Sequence, residues 1–183
     1  MELANNKYSI TISVDDTYTA DSTDNKHYDI VLNPLSIKQH DFYKTLSIVV
    51  NNGIDEYSIA LIGSYYSYDS NCAILKDDTL VVLQGEYITF LNLLDGSILR
   101  RAQIPNSFGL HYAIYKTSLG YVIYGEVEII GLDFQFNEAW RFTEGDVFIS
   151  FKIMDDRLIV IDYENNTYEL SLEGELLKKT HPQ

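Results

Sequence analysis

One strand pattern recurs three times along the second part of the chain, and it limits the possible folds more than any other feature. The three copies span residues 72–103, 112–143 and 149–180. In each copy, the second of several apolar runs starts at a large residue, and these residues are Leu80, Tyr121 and Leu158. They are separated by 41 and then 37 positions. A period of about 40 residues is typical of arrays built from one repeated unit of secondary structure.

Each copy divides into four short apolar runs separated by turn residues. The third run ends in a turn that offers Gly or Asn at the same offset, at Asp95-Gly96, Phe136-Asn137 and Glu173-Gly174. The fourth run then places a large apolar residue before a base, at Leu99-Arg100, Trp140-Arg141 and Leu177-Lys178. Short links and this strand-forming content predict one antiparallel four-stranded meander per copy.

The end of the first copy, in which Leu93-Leu94-Asp95-Gly96 is followed by Ile98-Leu99-Arg100, resembles a β-propeller blade of the WD40 or PQQ-like kind. The WD dipeptide, the Gly-His pair and the PQQ-contacting residues of those families are not evident, so the resemblance implies a fold and no activity. It implies an all-β fold of antiparallel four-stranded blade-like repeats, forming a small or an open, partial β-propeller. A bent β-sandwich is the alternative. Such blades often bury an aromatic residue at the position of Trp140, which we expect in the core rather than stacked on a ligand.

Residues 1–70 are less regular and are predicted to form a degenerate first unit. Strand patterns occur at Tyr8–Val14 and in three later runs, at 28–32, 46–50 and 57–62. Asn33-Pro34 begins a stretch, residues 35–44, that is predicted to form a helix or a helical turn. We expect residues 1–183 to form a single all-β domain, since one core commonly serves about 100–200 residues.

The charge of the chain argues against two classes of partner. Its 27 acidic and 13 basic residues give a net charge of −14, which repels phosphate backbones and anionic lipids. Nucleic acid and membranes are therefore not expected as partners, whereas a basic protein is. The acidity has a simpler interpretation, which is solubility. The first residues lack the basic start and apolar run of a signal peptide, so a cytoplasmic location is expected.

No motif for catalysis, a metal or a cofactor is present. The four histidines are scattered, and Gly-x-Ser-x-Gly, Walker and Gly-x-Gly-x-x-Gly patterns are absent. The acid pairs Asp77-Asp78 and Asp155-Asp156 fall at equivalent turns of the repeat, which explains them without a glycosidase or calcium site. Cys72 stands alone within a predicted strand region and is expected to be a small core residue. The sequence therefore predicts no catalytic residue, no metal and no cofactor.

In a four-stranded blade, the links between strands two and three and the links between blades lie on the same rim. Acidic and aromatic residues collect in these links, whereas the bases of the repeats lie beside the other turns or in fourth strands. The rim residues predicted to bind a partner are Asp69, Glu86, Glu126, Glu144, Asp146, Glu164, Tyr65, Tyr66, Tyr68, Phe108 and Tyr163. Clustered carboxylates attract a cationic partner, and aromatic side chains supply rigid contact area. The alternative is a solvated rim with the tyrosines packed between blades.

Three functions suit such a chain. Its small size, acidity and lack of chemistry look like those of the immunity proteins of bacterial toxin systems, of the contact-dependent growth inhibition type. That resemblance implies a non-catalytic domain that neutralises a basic, nuclease-type toxin by covering its active site with an acidic surface. The first alternative is a propeller-like interaction scaffold without a toxin partner. The second is an enzyme of the lyase or glycosidase type.

Overall fold

A computed structural model describes residues 1–19, 22–38, 43–63 and 71–182, which form strands, turns and no helix. Within these ranges, no helix is thus long and apolar enough to cross a membrane. The strands, in chain order, are β1 (Glu2–Ala4), β2 (Ser9–Val14), β3 (Ile30–Leu32), β4 (Lys44–Asn51), β5 (Glu56–Gly63), β6 (Ala73–Lys76), β7 (Thr79–Gln84), β8 (Tyr87–Asn92), β9 (Ile98–Gln103), β10 (His111–Lys116), β11 (Tyr121–Gly125), β12 (Ile129–Leu132), β13 (Glu138–Phe142), β14 (Phe148–Ile153), β15 (Arg157–Asp162), β16 (Thr167–Ser171) and β17 (Leu176–Thr180).

Three of the four sheets formed by these strands share one order. Strands β6 to β9, β10 to β13 and β14 to β17 each form an antiparallel meander in which every strand pairs with the next. The sheets coincide with the three copies of the sequence repeat, so the predicted four-stranded units are confirmed. The marker residues Leu80, Tyr121 and Leu158 are all buried. They occupy equivalent positions, because each pairs with a leucine of the third strand, namely Leu91, Leu132 and Leu170.

The N-terminal sheet departs from the four-stranded pattern. It has five strands in the order β1-β2-β4-β5-β3, and β3 runs parallel to β5. The carboxylate of Asp29 fixes β3 at this edge by accepting hydrogen bonds from the backbone amide of Ser58 (2.7 Å) and from its hydroxyl (2.8 Å). The topology differs because β3 lies in the long connection between β2 and β4 and returns along β5.

The stretch after Asn33-Pro34, predicted to be a helix or a helical turn, begins with a turn and not with a helix. The amide of Ser36 donates to the carbonyl of Asn33 (3.1 Å), which closes a turn. Ser36 has a φ of 53°, outside the right-handed helical region, and residues 35–38 are not helical. Residues 39–42 of the predicted stretch lie outside the described residues.

The chain separates into two compact units, which we call unit 1 (Met1–Gln103) and unit 2 (Ile104–Gln183). Each has its own apolar core, and the expectation of a single domain stays a prediction. The core of unit 1 includes Ile10, Leu46, Ile48 and Leu91. Cys72 belongs to it as expected, with 3% of its surface exposed, and burial raises the pKa of its thiol.

Alternate residues of neighbouring strands form the core of unit 2, as expected where one face of each strand is buried. Its members are Val122, Ile129, Phe142, Phe148, Leu158, Val160, Tyr168 and Leu170. Trp140 packs against this cluster and is half-buried, so it contributes to the core while part of its ring reaches the surface.

Strand β17 forms one edge of the sheet of strands β14 to β17. It has β16 as its one neighbour among the described strands, and all five of its residues are exposed.

Candidate protein-binding site

Four links of unit 2 meet at one end of its two sheets. They are residues 104–110, 126–128, 143–147 and 163–166. The backbone amide of Glu126 donates to the carbonyl of Leu110 (2.7 Å), and the amide of Phe148 donates to the carbonyl of Glu126 (2.6 Å). The amide of Tyr163 donates to the carbonyl of Val147 (2.7 Å). These bonds join the links into one surface, which we call the Phe108 end.

The Phe108 end brings together six of the residues that the sequence predicted to bind a partner. They are Phe108, Glu126, Glu144, Asp146, Tyr163 and Glu164. Phe108 and Tyr163 are 74% and 72% exposed, which is unusual for large aromatic residues. Three of the acids are exposed and Glu126 is half-buried. The four links contain no Lys or Arg.

The other predicted residues belong to unit 1 or lie outside the described residues. Glu86 is exposed in the turn between β7 and β8, which belongs to unit 1. Asp69, Tyr65, Tyr66 and Tyr68 lie outside the described residues.

A buried carboxylate, Glu128, stands directly beneath the exposed links. Its side chain is fully buried, and its Oε1 atom lies 2.8 Å from the Nε2 atom of His111, which is also fully buried. The same oxygen accepts a hydrogen bond from the backbone amide of Phe108 (2.8 Å). Its second oxygen accepts from the guanidinium of Arg141. A buried charge is tolerated when it is paired and hydrogen-bonded in this way.

Arg141 uses its guanidinium to tie the first link to the sheet. Its Nη2 atom donates to the carbonyl of Pro105 (2.6 Å), and its Nη1 atom donates to the carbonyl of Asn106 (3.2 Å). Glu138 accepts from the Nε and Nη2 atoms (3.1 and 2.7 Å). These bonds to Glu138 raise the pKa of Arg141 further, with the charge of Glu128 adding to the effect, so the side chain stays cationic.

The Glu128–Arg141 cluster therefore holds residues 105–108 in one conformation. The backbone of this link is bonded at Pro105, Asn106 and Phe108, while the ring of Phe108 extends into solvent. A loop that is ordered before it meets a partner loses less conformational entropy on binding. The cluster thus positions an aromatic residue for contact.

A second buried carboxylate, Asp162, orders the link that carries Tyr163 and Glu164. It accepts hydrogen bonds from the backbone amide and the side-chain amide of Asn166 (2.8 and 2.9 Å) and from the hydroxyl of Tyr168 (2.8 Å). Burial alone would raise the pKa of Asp162, but these hydrogen bonds outweigh it and hold that pKa below its ordinary value of 3.8. Burial and the same contact raise the pKa of Tyr168 to about 12.

We expect the stability lost in an Asp162→Asn variant to depend on pH. Because the pKa of Asp162 is lowered in the folded chain, its contribution to stability is complete above the unfolded-state pKa and is lost as the pH falls through the folded-state pKa. Thermal unfolding followed by circular dichroism should give the variant a lower melting temperature than the parent at neutral pH. The difference in melting temperature should narrow below about pH 4. A gap of constant size down to about pH 3 would contradict this role of Asp162.

The buried His111–Glu128 pair consists of two residue types that often transfer protons in enzymes, but neither side chain is accessible to a substrate. Both side chains have no exposed surface, so no substrate can reach them in this conformation. Among the described residues, no group of three or more His, Cys, Asp or Glu side chains comes together in a way that could hold a metal ion. The arrangement suits structural support, and the absence of catalysis stays a prediction.

Acidic residues are not confined to the Phe108 end. Asp133, Asp155, Asp156 and Glu173 lie in the links at the opposite end of unit 2. Asp133 is used there to order its own turn, through hydrogen bonds from Gln135 and Asn137. The links at that end also contain no Lys or Arg, and Phe134 among them is 40% exposed. What distinguishes the Phe108 end is therefore the greater exposure of its aromatic residues beside carboxylates.

Sequence reasoning missed both Glu128 and Asp162. Each acid borders an apolar strand, since Glu128 precedes Ile129 and Asp162 follows Ile161. An acid at the border of an apolar strand must find a partner or stay at the surface. Arg141, on the strand beside Glu128, was the signal that could have identified the Glu128–Arg141 pair.

No protein-family model matches this sequence, and no curated protein does. Among solved structures, the chain is similar to the computationally designed Ika8 protein, at 11% identity and a TM-score of 0.51, over 76% of this chain and 46% of that one. It is also similar to BamB from Moraxella catarrhalis, at 12% identity and a TM-score of 0.48, over 76% of this chain and 49% of that one. The chain thus spans about half the length of these structures.

At such low identity, the likeness to Ika8 concerns the fold alone. The three equivalent four-stranded antiparallel meanders are the repeated units of an all-β, β-propeller-like fold. Each sheet keeps two open edges among the described strands, so none closes on itself.

Proposed function

We propose that this chain is a non-catalytic protein-binding domain that captures a basic protein through the Phe108 end of unit 2. The observation that carries the proposal is the high exposure of Phe108 and Tyr163 on a surface shared with carboxylates. Fold alone does not decide function, so the proposal rests on this surface.

The two kinds of side chain have different tasks in the proposed complex. Aromatic residues near the centre of an interface commonly carry much of the binding energy, because they bury a large area at a small entropic cost. Glu144, Asp146 and Glu164 surround them with negative charge, which speeds the approach of a cationic partner and disfavours acidic ones. The buried networks of Glu128 and Asp162 keep the links in place before the partner arrives.

The more specific form of the proposal is an immunity function against a basic, nuclease-type toxin. A nuclease binds the phosphates of its substrate with Lys and Arg side chains. Carboxylates on a fitted protein surface can pair with the same cations, and the bound domain then excludes the substrate. The acidity of the whole chain, with a net charge of −14, supports attraction to such a partner over long distance.

We expect the triple variant Glu126→Lys, Glu144→Lys and Glu164→Lys to bind a basic partner about tenfold to a hundredfold more weakly than the parent does. The reason is that the new lysines place like charges against the partner's cations. Dissociation constants would be measured by calorimetry against a panel of purified basic nuclease domains from bacterial toxins. Inhibition of nuclease activity would be measured in parallel.

A matched control carries the same change of charge at the opposite end of unit 2, as Asp155→Lys, Asp156→Lys and Glu175→Lys. Equal loss of binding in both triple variants would show that net charge, rather than the Phe108 end, attracts the partner. Binding of no nuclease domain with micromolar or better affinity would overturn the immunity function.

A second candidate is an interaction scaffold without a toxin partner. The acids at the opposite end of unit 2 favour it, because acidity on more than one surface suits solubility as well as recognition. A scaffold predicts partners that are not basic, and binding that is insensitive to the triple variant at the Phe108 end.

A further inference from the structure

A small pocket opens at the end of unit 2 opposite the Phe108 end. Its volume is about 250 Å³. The turn between β10 and β11, strands β12 and β13, and the turn between β16 and β17 line it. Its larger apolar lining residues are Leu119, Tyr121, Leu132, Trp140 and Leu172. We call it the Trp140 pocket.

The indole of Trp140 is fixed in the wall of this pocket. Its Nε1 atom donates a hydrogen bond to the carbonyl of Leu172 (3.0 Å). Gly131 and Gly174 both lie so close to the ring that a Cβ atom at either position would overlap it. The close approach of two glycines from neighbouring sheets and this hydrogen bond therefore hold the ring in place, and the apolar wall exists before any ligand binds.

The size and charge of the pocket limit what it can bind. Pockets for drug-sized molecules have volumes of about 300–1,000 Å³, so this one suits a single side chain. Among its described lining residues, Glu173 alone carries a charge, and its side chain is exposed at the rim. An apolar anchor in a preformed pocket, with a charge at the rim to select its neighbour, is a common mode of protein recognition.

We propose that the Trp140 pocket receives one apolar side chain, of about the size of leucine, from a basic peptide segment of another protein. The apolar side chain contacts Trp140 and Leu119, and a flanking Lys or Arg pairs with Glu173. This site is separate from the Phe108 end, and the proposal for it does not depend on the function proposed for that surface.

The tryptophan itself reports on the site, because it is the only one in the chain. The full chain would be titrated with acetyl-Lys-Leu-Lys-amide while the emission of Trp140 is recorded. We expect a saturable spectral change with a dissociation constant on the order of millimolar, as befits one buried side chain. The peptides acetyl-Lys-Ser-Lys-amide, which lacks the anchor, and acetyl-Glu-Leu-Glu-amide, which reverses the charge, should bind at least about fivefold more weakly.

Two kinds of variant complete the test. Ala139→Leu extends an exposed lining residue into the pocket and should abolish the response, with folding verified by circular dichroism. Glu173→Lys should weaken binding about threefold to fivefold, whereas Glu175→Lys, at a residue outside the lining, should not. The proposal is overturned by an absent spectral change, by equal responses to the three peptides, or by an unchanged response in the Ala139→Leu protein. Equal effects of the two lysine variants would overturn the pairing with Glu173.

Discussion

Replacing Glu128 by alanine is expected to lower the free energy of unfolding of unit 2 by about 3–5 kcal/mol, the usual loss when one partner of a buried ion pair is removed. The variant leaves the guanidinium of Arg141, the ring of His111 and the amide of Phe108 without the carboxylate that they share. Removal of the acceptor from a buried hydrogen bond commonly costs about 1–3 kcal/mol. Unfolding in urea, followed by the fluorescence of Trp140, would measure the loss within unit 2.

Glu138→Ala provides the matched control for this experiment. Glu138 also binds Arg141, but its side chain is 29% exposed, and we expect a loss of only about 0–1 kcal/mol. Glu128→Gln should fall between the two variants, since it keeps the shape and one acceptor while it removes the charge. If Glu128→Ala proved no less stable than Glu138→Ala, the cluster would not be the support that we assign to it.

Gly174→Ala is expected to cost about 2–4 kcal/mol, for two separate reasons. Gly174 has a φ of 84°, in the left-handed region that side chains disfavour. Its new methyl group would also overlap the indole of Trp140, which cannot move away because Gly131 lies against it. The free energy of unfolding, obtained from urea titrations followed by circular dichroism, would measure the sum of the two effects.

Gly53 allows the two reasons to be separated. Its φ of 83° nearly equals that of Gly174, yet no atom lies within 4 Å of the position of a Cβ atom there. Gly53→Ala should therefore carry only the backbone cost, about 1–2 kcal/mol. A loss in Gly174→Ala no larger than that in Gly53→Ala would contradict the clamped position of Trp140.

The repeated sheets could be predicted because their signal is local. Apolar runs, turn residues and the marker positions Leu80, Tyr121 and Leu158 repeat within short stretches, and strand pairing between sequence neighbours follows from them. The five-stranded sheet could not be predicted in the same way. The pairing of β3 with β5 depends on contacts such as that of Asp29 with Ser58, which no periodicity records.

The links that form the candidate site could be predicted from the sequence, whereas the buried acids that hold these links in place could not. Links that fall on one rim could be assigned from strand order alone, which is why Phe108, Glu126 and Tyr163 were placed together. Sequence alone does not tell whether an acid is buried or exposed at the border of a strand. Glu128 and Asp162 were missed for that reason, and the acids Asp155 and Asp156 showed that charge was not sorted to one end.

The exposed edge of β17 bears on how the protein behaves at high concentration. A strand with one neighbour presents a row of amide and carbonyl groups that can template the strand of another molecule, which is a route to aggregation. Leu176 and Leu177 would favour such stacking, but Lys178 and Lys179 follow them on the same strand. If the β17 edges of two molecules came side by side, these ammonium groups would lie close together. Their repulsion disfavours fibre-like self-association.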